Sequence, residues 1–258
     1  MTNLNILLRK RLGIPCDKVI AFENLNAVLE KAAKAIPFEN LCIIENRTNE
    51  ITKENLIKKI LEQNEGGLCY ELNSVLYFFL IENGFNTNLI RAIRYNYNSQ
   101  KWSTMGKTHV ANMIKHNGQF YIVDIGFWGN SPLKLVPVNG ETVTSNNGEF
   151  KVENINSEHG DSVFYIKLKH KDTDWKIGYA FDSKKVMKDL AELNEVQKIN
   201  IEHSESKFNN KSLITKFTDK GTMTLTNTSF TEWVDGKLKK KEIDKKLFLE
   251  IAKRYFGL

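Results

Sequence analysis

Cys69 lies in the run Glu65-Gly66-Gly67-Leu68-Cys69-Tyr70-Glu71-Leu72-Asn73. The two glycines permit a tight turn and a close approach of another group to the backbone. The helix predicted to follow places Cys69 in its first turn. There the positive end of the macrodipole and the unpaired N–H groups favour thiolate over thiol. That is the setting of a nucleophile. A buried structural cysteine suits the same position, because free cysteine is among the most buried residue types.

A nucleophile needs a base, and the base needs a group that orients it. The stretch from Thr108 to Asp124 offers both. Asn117-Gly118, flanked by strand residues, signals a two-residue hairpin turn with His116 opposite Gln119. That register sets Ala111 opposite Asp124 and leaves His109 on the same face as Ala111, so His109 and Asp124 become diagonal neighbours. A slip of one residue would separate them onto opposite faces. The pair reads as an imidazole whose tautomer is fixed by a carboxylate; the alternative is a core histidine and a loop-capping aspartate. His116 reads as a turn residue, and His159, His170 and His203 have no partner at a useful spacing.

These residues require particular elements around them. Phe22, Leu25, Val28, Leu29 and Ala32 follow a helical rhythm that Pro37 stops. A second helix is predicted from Thr52, with Asn55 completing a partial cap, through Leu56, Ile57, Ile60 and Leu61. A third runs from about Gly67 to Gly84, so residues 1–84 read as a helical bundle carrying the cysteine. From Phe85 the period falls to two, with strands predicted at 87–95, 109–115, 119–125, 148–153, 162–170 and 175–181. Residues 85–182 are therefore mostly antiparallel β and carry the histidine and aspartate. In residues 183–258 a helix is predicted from Ser183 through Asn200, short strands at 211–217, 221–227 and 229–235, and a closing amphipathic helix at 240–256.

Composition narrows the function classes. The chain has 258 residues, 41% hydrophobic and 26% charged, which fits a globular protein and excludes disordered and collagen-like chains. Cys16, Cys42 and Cys69 cannot all pair and show no metal-ligand spacing, so neither a disulfide framework nor a zinc site is expected, and no metal. A reducing cytoplasm fits this usage best. The first residues hold too short an apolar run before Arg9-Lys10-Arg11 for a signal segment, and no stretch reaches the roughly 18 apolar residues of a membrane span. The net charge of +6 suggests an anionic ligand. Eight of the basic residues lie between Lys237 and Arg254, a run that reads as a solvated face or as an attraction for phosphates. No phosphate-binding glycine loop and no basic-aromatic interleaving accompany it, which argues against a nucleic-acid-binding module.

Together these motifs resemble the arylamine N-acetyltransferases. Ile36-Pro37-Phe38-Glu39-Asn40-Leu41 matches that family's IPFENL segment, and Gly66-Gly67-Leu68-Cys69-Tyr70-Glu71-Leu72-Asn73 its cysteine motif. Thr108-His109 and Val123-Asp124-Ile125-Gly126-Phe127 match its histidine and aspartate motifs. The resemblance extends to Ser204-Glu205-Ser206-Lys207-Phe208 and to Asp219-Lys220-Gly221-Thr222-Met223-Thr224-Leu225. It implies an α+β fold with an N-terminal helical bundle, a central antiparallel β-barrel and a C-terminal α/β lid. The first two parts would be related to the cysteine-protease and transglutaminase core.

It also implies that Cys69, His109 and Asp124 form a triad, that acetyl-CoA acetylates Cys69, and that an aromatic amine or hydrazine then takes the acetyl group in a ping-pong cycle. Phe38, Phe127 and Trp128 are candidate walls for the acceptor ring, and Ser204, Ser206 and Lys207 candidate contacts to CoA. A Cys-His-Asp hydrolase or transglutaminase-like acyltransferase with another donor is the alternative. Two positions depart from the family pattern. Glu65 stands where the family has an arginine before Gly-Gly, so its pairing with Glu39 is replaced by another cation, by carboxylates pointing apart, or by a protonated carboxyl. Trp128 stands where the family usually has glycine, and an indole there is expected to reshape the acceptor site.

Overall fold

The computed structural model describes all residues, 1–258, and combines helices with two antiparallel sheets. The chain begins with α1 (Asn3–Leu12) and α2 (Leu25–Ala35). The first of these was not anticipated from apolar spacing, yet its ends follow ordinary capping rules. The Thr2 hydroxyl accepts from the Asn5 N–H, and Gly13 closes the helix at φ 61°. After the two-residue strand β1 (Phe38–Glu39) come the single turns α3 (Leu41–Ile44) and α4 (Lys53–Leu56). The second of these is capped by Thr52, whose side chain accepts from Asn55. Helix α5 (Cys69–Glu82) then starts at the proposed nucleophile, and Gly84 ends it at φ 82°.

The larger sheet contains β2 (Asn86–Asn96), β3 (Lys101–Trp102), β4 (His109–His116), β5 (Gln119–Val123), β6 (Val136–Pro137), β7 (Val143–Ser145), β8 (Gly148–Ser157), β9 (Gly160–Leu168) and β10 (Lys176–Val186). Its order is β6-β5-β4-β2-β10-β9-β8-β7, with β3 beside β2, and it curls into a nearly closed barrel. A hydrogen bond from the Gly140 N–H to the Val152 carbonyl ties the segment after β6 to β8 across the gap. Alternation along β4 serves two cores at once. Val110 and Ile114 join the helical core of α1, α2 and α5, whereas Ala111 and Met113 enter the barrel core with Phe164, Tyr179 and Phe181. Every residue from His109 to Ile114 is therefore buried.

Helix α6 (Ala191–Glu202) leads to the second sheet, built from β11 (Leu213–Thr218), β12 (Gly221–Thr226), β13 (Ser229–Val234) and β14 (Lys237–Glu242), and then to α7 (Lys245–Ile251). Strand β1 forms its other edge, with Phe38 opposite Thr215 and Glu39 opposite Ile214. Phe38 also bridges to Gly67, so β1 links this sheet to the turn before Cys69.

Two expectations are corrected. Ser183–Val186 finish a strand instead of opening a helix: β10 continues past a bulge after Phe181 until Val186 pairs with Ile90, and the helix starts only at Ala191. A boundary at residue 182 thus cuts through β10. Likewise, Lys240–Glu242 belong to β14 rather than to the closing helix. Asp235 and Gly236, at φ 47° and 79°, make a tight turn that lays the whole of β14 along β13.

Candidate active site

The β4–β5 hairpin has the register expected from its turn, with His116 opposite Gln119 and Asn112 opposite Val123. Asn117 and Gly118 turn it at φ 47° and 81°. Asp124 follows the last residue of β5 and lies on the face of His109, whose Nε2 is 2.7 Å from Asp124 Oδ2. Both side chains are almost fully excluded from water. The Asp124 carboxylate is held from several sides. It accepts from Asn73 Nδ2 at 2.9 Å, from the Gly126 N–H at 2.8 Å and from the Tyr179 hydroxyl at 3.3 Å.

Cys69, the first residue of α5, reaches this pair across two elements distant in sequence. It is the second hydrogen-bond partner of the His109 ring. Burial disfavours the charged imidazole, but the charge and hydrogen bond of Asp124, with a contribution from Cys69, overcome it and raise the His109 pKa to about 9. Close approach depends on Gly126: a Cβ there would lie 2.6 Å from Cys69 Cα and 2.7 Å from Asn73 Nδ2. Asn73, one turn after Cys69, fastens the helix to the hairpin. Its amide donates to the Val110 carbonyl and to Asp124, and its oxygen accepts from the Ile125 N–H. Asn73 and Tyr179 were not singled out from the sequence. Asn73 was visible at i+4 from Cys69, on the same helix face. Tyr179 gave no local signal, because it meets Asp124 only through barrel closure.

The glycine pair before Cys69 packs against the Phe38 segment. A Cβ at Gly66 would strike the Pro37 carbonyl at 2.1 Å, and one at Gly67 would strike Glu71 Oε2 at 2.8 Å. That Glu71 oxygen accepts from the Leu68 N–H, capping α5. The substitution at Glu65 is accommodated in two ways at once. Glu65 points away, toward Arg47 at 3.4 Å and the Cys42 thiol at 3.2 Å. Lys59 supplies the cation instead, 2.6 Å from Glu71 and 3.8 Å from Glu39. Burial still pushes Glu39 above the usual carboxylate range, with Lys59 opposing it and Glu71 and Glu65 adding to it. Burial also pushes the Cys42 thiol up to about 12, the opposite of what a nucleophile needs. Cys16 is exposed.

Cys69 and His109 open on a cavity of about 600 Å3. Phe38, Phe127 and Trp128 all line it. The Trp128 ring lies parallel to Phe38 at a centroid distance of 6.2 Å, and its Nε1 donates to Thr215 Oγ1 at 2.8 Å. Its backbone has φ 54°, a left-handed conformation that glycine adopts without cost, so this tryptophan is held there by its packing and that hydrogen bond. Phe127 fills the junction with the barrel core, 5.0 Å from both the His109 and Tyr179 rings. The candidate CoA contacts are divided. Lys207 lines the cavity, whereas Ser204 is exposed outside its lining. Ser206 is buried, its hydroxyl donating to the Asn200 carbonyl and accepting from the Phe208 N–H. No group of three His, Cys, Asp or Glu side chains is arranged to hold a metal ion, and no helix is long and apolar enough to cross a membrane.

A family model described as N-acetyltransferase matches residues 21–258. The chain is 36% identical to an uncharacterized acetyltransferase of Bacillus subtilis over 92% of its own length and 91% of that protein's. Its fold superposes on arylamine N-acetyltransferase C from Bacillus anthracis with a TM-score of 0.94 and 37% identity, covering 100% of this chain and 99% of that one. A Bacillus cereus arylamine N-acetyltransferase, described as having a unique Cys-His-Glu triad, gives the same TM-score at 35% identity, covering 100% and 99%; here the carboxylate beside the histidine is an aspartate. With motifs, site geometry and fold in agreement, the chain belongs to the arylamine N-acetyltransferase family.

Proposed function

We propose that this protein transfers an acetyl group from acetyl-CoA to an arylamine or arylhydrazine through an acetyl-Cys69 intermediate. The observation that carries this reading is the buried His109–Asp124 pair at 2.7 Å with Cys69 as the other partner of the imidazole, all at the wall of one cavity. With His109 charged at neutral pH, Cys69 and His109 form a thiolate–imidazolium pair. The Cys69 sulfur attacks the thioester carbonyl, the bond to the CoA sulfur breaks, and His109 gives its proton to the leaving CoA. In the second half-reaction the acceptor nitrogen attacks the acetyl carbonyl, His109 takes the proton from that nitrogen, and Cys69 leaves as thiolate. Asp124 fixes the tautomer and stabilises the charged ring throughout.

In this reading residues 1–84 supply the nucleophile, 85–182 the base and its orienting carboxylate, and 183–258 cover the cleft as a lid. Phe38 and Trp128 flank the acceptor ring, and Lys207 attracts the donor. The deciding experiment is intact-protein mass spectrometry after mixing with acetyl-CoA. A single acetyl adduct with stoichiometric release of CoA, absent in Cys69→Ala, is expected. Absence of both adduct and CoA release from the wild-type protein rejects the transferase reading in favour of a hydrolase-like or transglutaminase-like use of the same residues.

A further inference from the structure

Arg94 is the one arginine of the protein interior whose guanidinium has no partner. Arg9 donates to Asn5, Asn83 and the carbonyls of Pro15 and Lys18; Arg11 donates to the carbonyls of Asn64 and Glu65. Arg91, one strand turn before Arg94, pairs with Glu195 at 3.1 Å and donates to the Lys107 carbonyl. Arg94 makes neither an ion pair nor a side-chain hydrogen bond, and only lies over the Phe208 ring at 5.4 Å. A half-buried guanidinium carries five N–H donors that have lost part of their water, which is costly unless a ligand completes them.

Its position follows from register. Arg94 pairs with Tyr179 on β10, and Ala92, two residues earlier on the same face of β2, pairs with His109 on β4. Arg94, Tyr179 and His109 therefore share one face of the barrel sheet, and Arg94 lines the same cavity as Cys69. It is close enough to feel the Cys69 charge. The other charged residues of the lining, besides His109, are Lys101, Lys207 and Glu205, and Glu205 is already bonded to Thr104. The inner cleft thus presents fixed positive charge beside an aromatic wall.

We propose that Arg94 is a specificity-determining residue that receives the carboxylate of an aromatic amine acid, so that the protein prefers acceptors of the aminobenzoate type. The proposal rests on the acetyl-transfer reading. A guanidinium matches a carboxylate with two parallel hydrogen bonds, while the ring rests against Phe38, Phe208 and Trp128 and the amine faces Cys69. The phosphates of CoA are a poorer match. They lie at the far end of an extended pantetheine arm whose sulfur must meet Cys69, beyond the reach of a side chain rooted beside His109.

The test compares kcat/KM for 4-aminobenzoate with that for its neutral isostere 4-aminobenzamide. It uses wild type, Arg94→Met and Arg94→Lys, each at low and high salt. The expected result is an acid-over-amide preference of about tenfold or more in wild type that falls at least about tenfold in Arg94→Met, with Arg94→Lys between them and salt eroding the preference. A wild-type ratio near one overturns the proposal. So does an equal loss for both acceptors, or an effect confined to acetylation of Cys69 by acetyl-CoA. If acetyl-CoA gives no Cys69 adduct at all, the transfer reading has failed separately. Calorimetric titration of 4-aminobenzoate into wild type and Arg94→Met then decides whether the carboxylate site exists: binding that depends on Arg94 supports it, and binding that is absent or indifferent to Arg94 rejects it.

Discussion

Two hairpins in this chain turn on the same kind of residue pair. Asn117-Gly118 joins β4 to β5, and Asp235-Gly236 joins β13 to β14, all four residues at positive φ. Both hairpins hold a tight register. Their surroundings differ completely. Strand β4 is buried on both faces from His109 to Ile114, between the helical core and the barrel core, whereas every residue of β14 is exposed. The turn therefore decides which residues stand opposite each other and not what they do. Polar groups on β4 must be partnered because water is excluded, so His109 and Asn112 are locked into hydrogen bonds; Lys239, Lys240 and Lys241 on β14 remain hydrated.

The comparison is broken most severely by removing the charge that the buried hairpin exists to hold. Asp124→Asn is expected to leave the fold largely intact and to lower the rate of Cys69 acetylation by about 10⁴-fold, because the imidazole tautomer is no longer enforced. Stopped-flow release of CoA reads this directly, and a normal rate would remove Asp124 from the mechanism. Next in size, Asn73→Ala strands the Ile125 N–H and one acceptor site of Asp124. A loss of about 1–3 kcal/mol in urea unfolding is expected, together with impaired acetylation.

A change of pH separates the two hairpins without mutation. The His109 pKa is raised from 6.5 to about 9, so the stability it contributes is complete below about pH 6.5 and is lost as pH rises through about 9. Urea midpoints measured across that window are expected to fall in wild type and to fall less in His109→Gln; parallel curves would contradict the buried ion pair. The smallest effect belongs to the exposed hairpin. Replacing Lys239, Lys240 and Lys241 together by Gln is expected to change stability by less than about 0.5 kcal/mol, and to change the KM for acetyl-CoA only at low salt. A large salt-independent rise in KM would make β14 part of the donor site.

The same comparison explains what was legible in the sequence. His109 and Asp124 were readable because one turn and a period-two pattern bring them together within sixteen residues. The β13–β14 hairpin carried an equally good Asp-Gly signal, but Lys237–Glu242 has Leu238 as its one apolar residue, so nothing marked a strand and the helical reading of the tail prevailed. Helix α1 went unread although Thr2 and Gly13 are ordinary end signals, because its apolar stripe is interrupted by the buried Asn5 and Arg9, which satisfy each other at 2.6 Å. Tyr179 and Arg94 became site residues only through barrel closure, a property no local window contains.

The ion cluster under the glycine pair makes positions 59 and 65 mutually dependent. Restoring an arginine at 65 in this background sets a second cation near Lys59 and takes a carboxylate from Arg47 and Cys42, whereas removing Lys59 alone leaves Glu39 and Glu71 facing each other in a dry interior. Each exchange alone should be harmful, and the pair made together should be far milder than their sum. Lys59 and Glu65 therefore form an epistatic unit, and sequence variation at either position is interpretable only when the other is known.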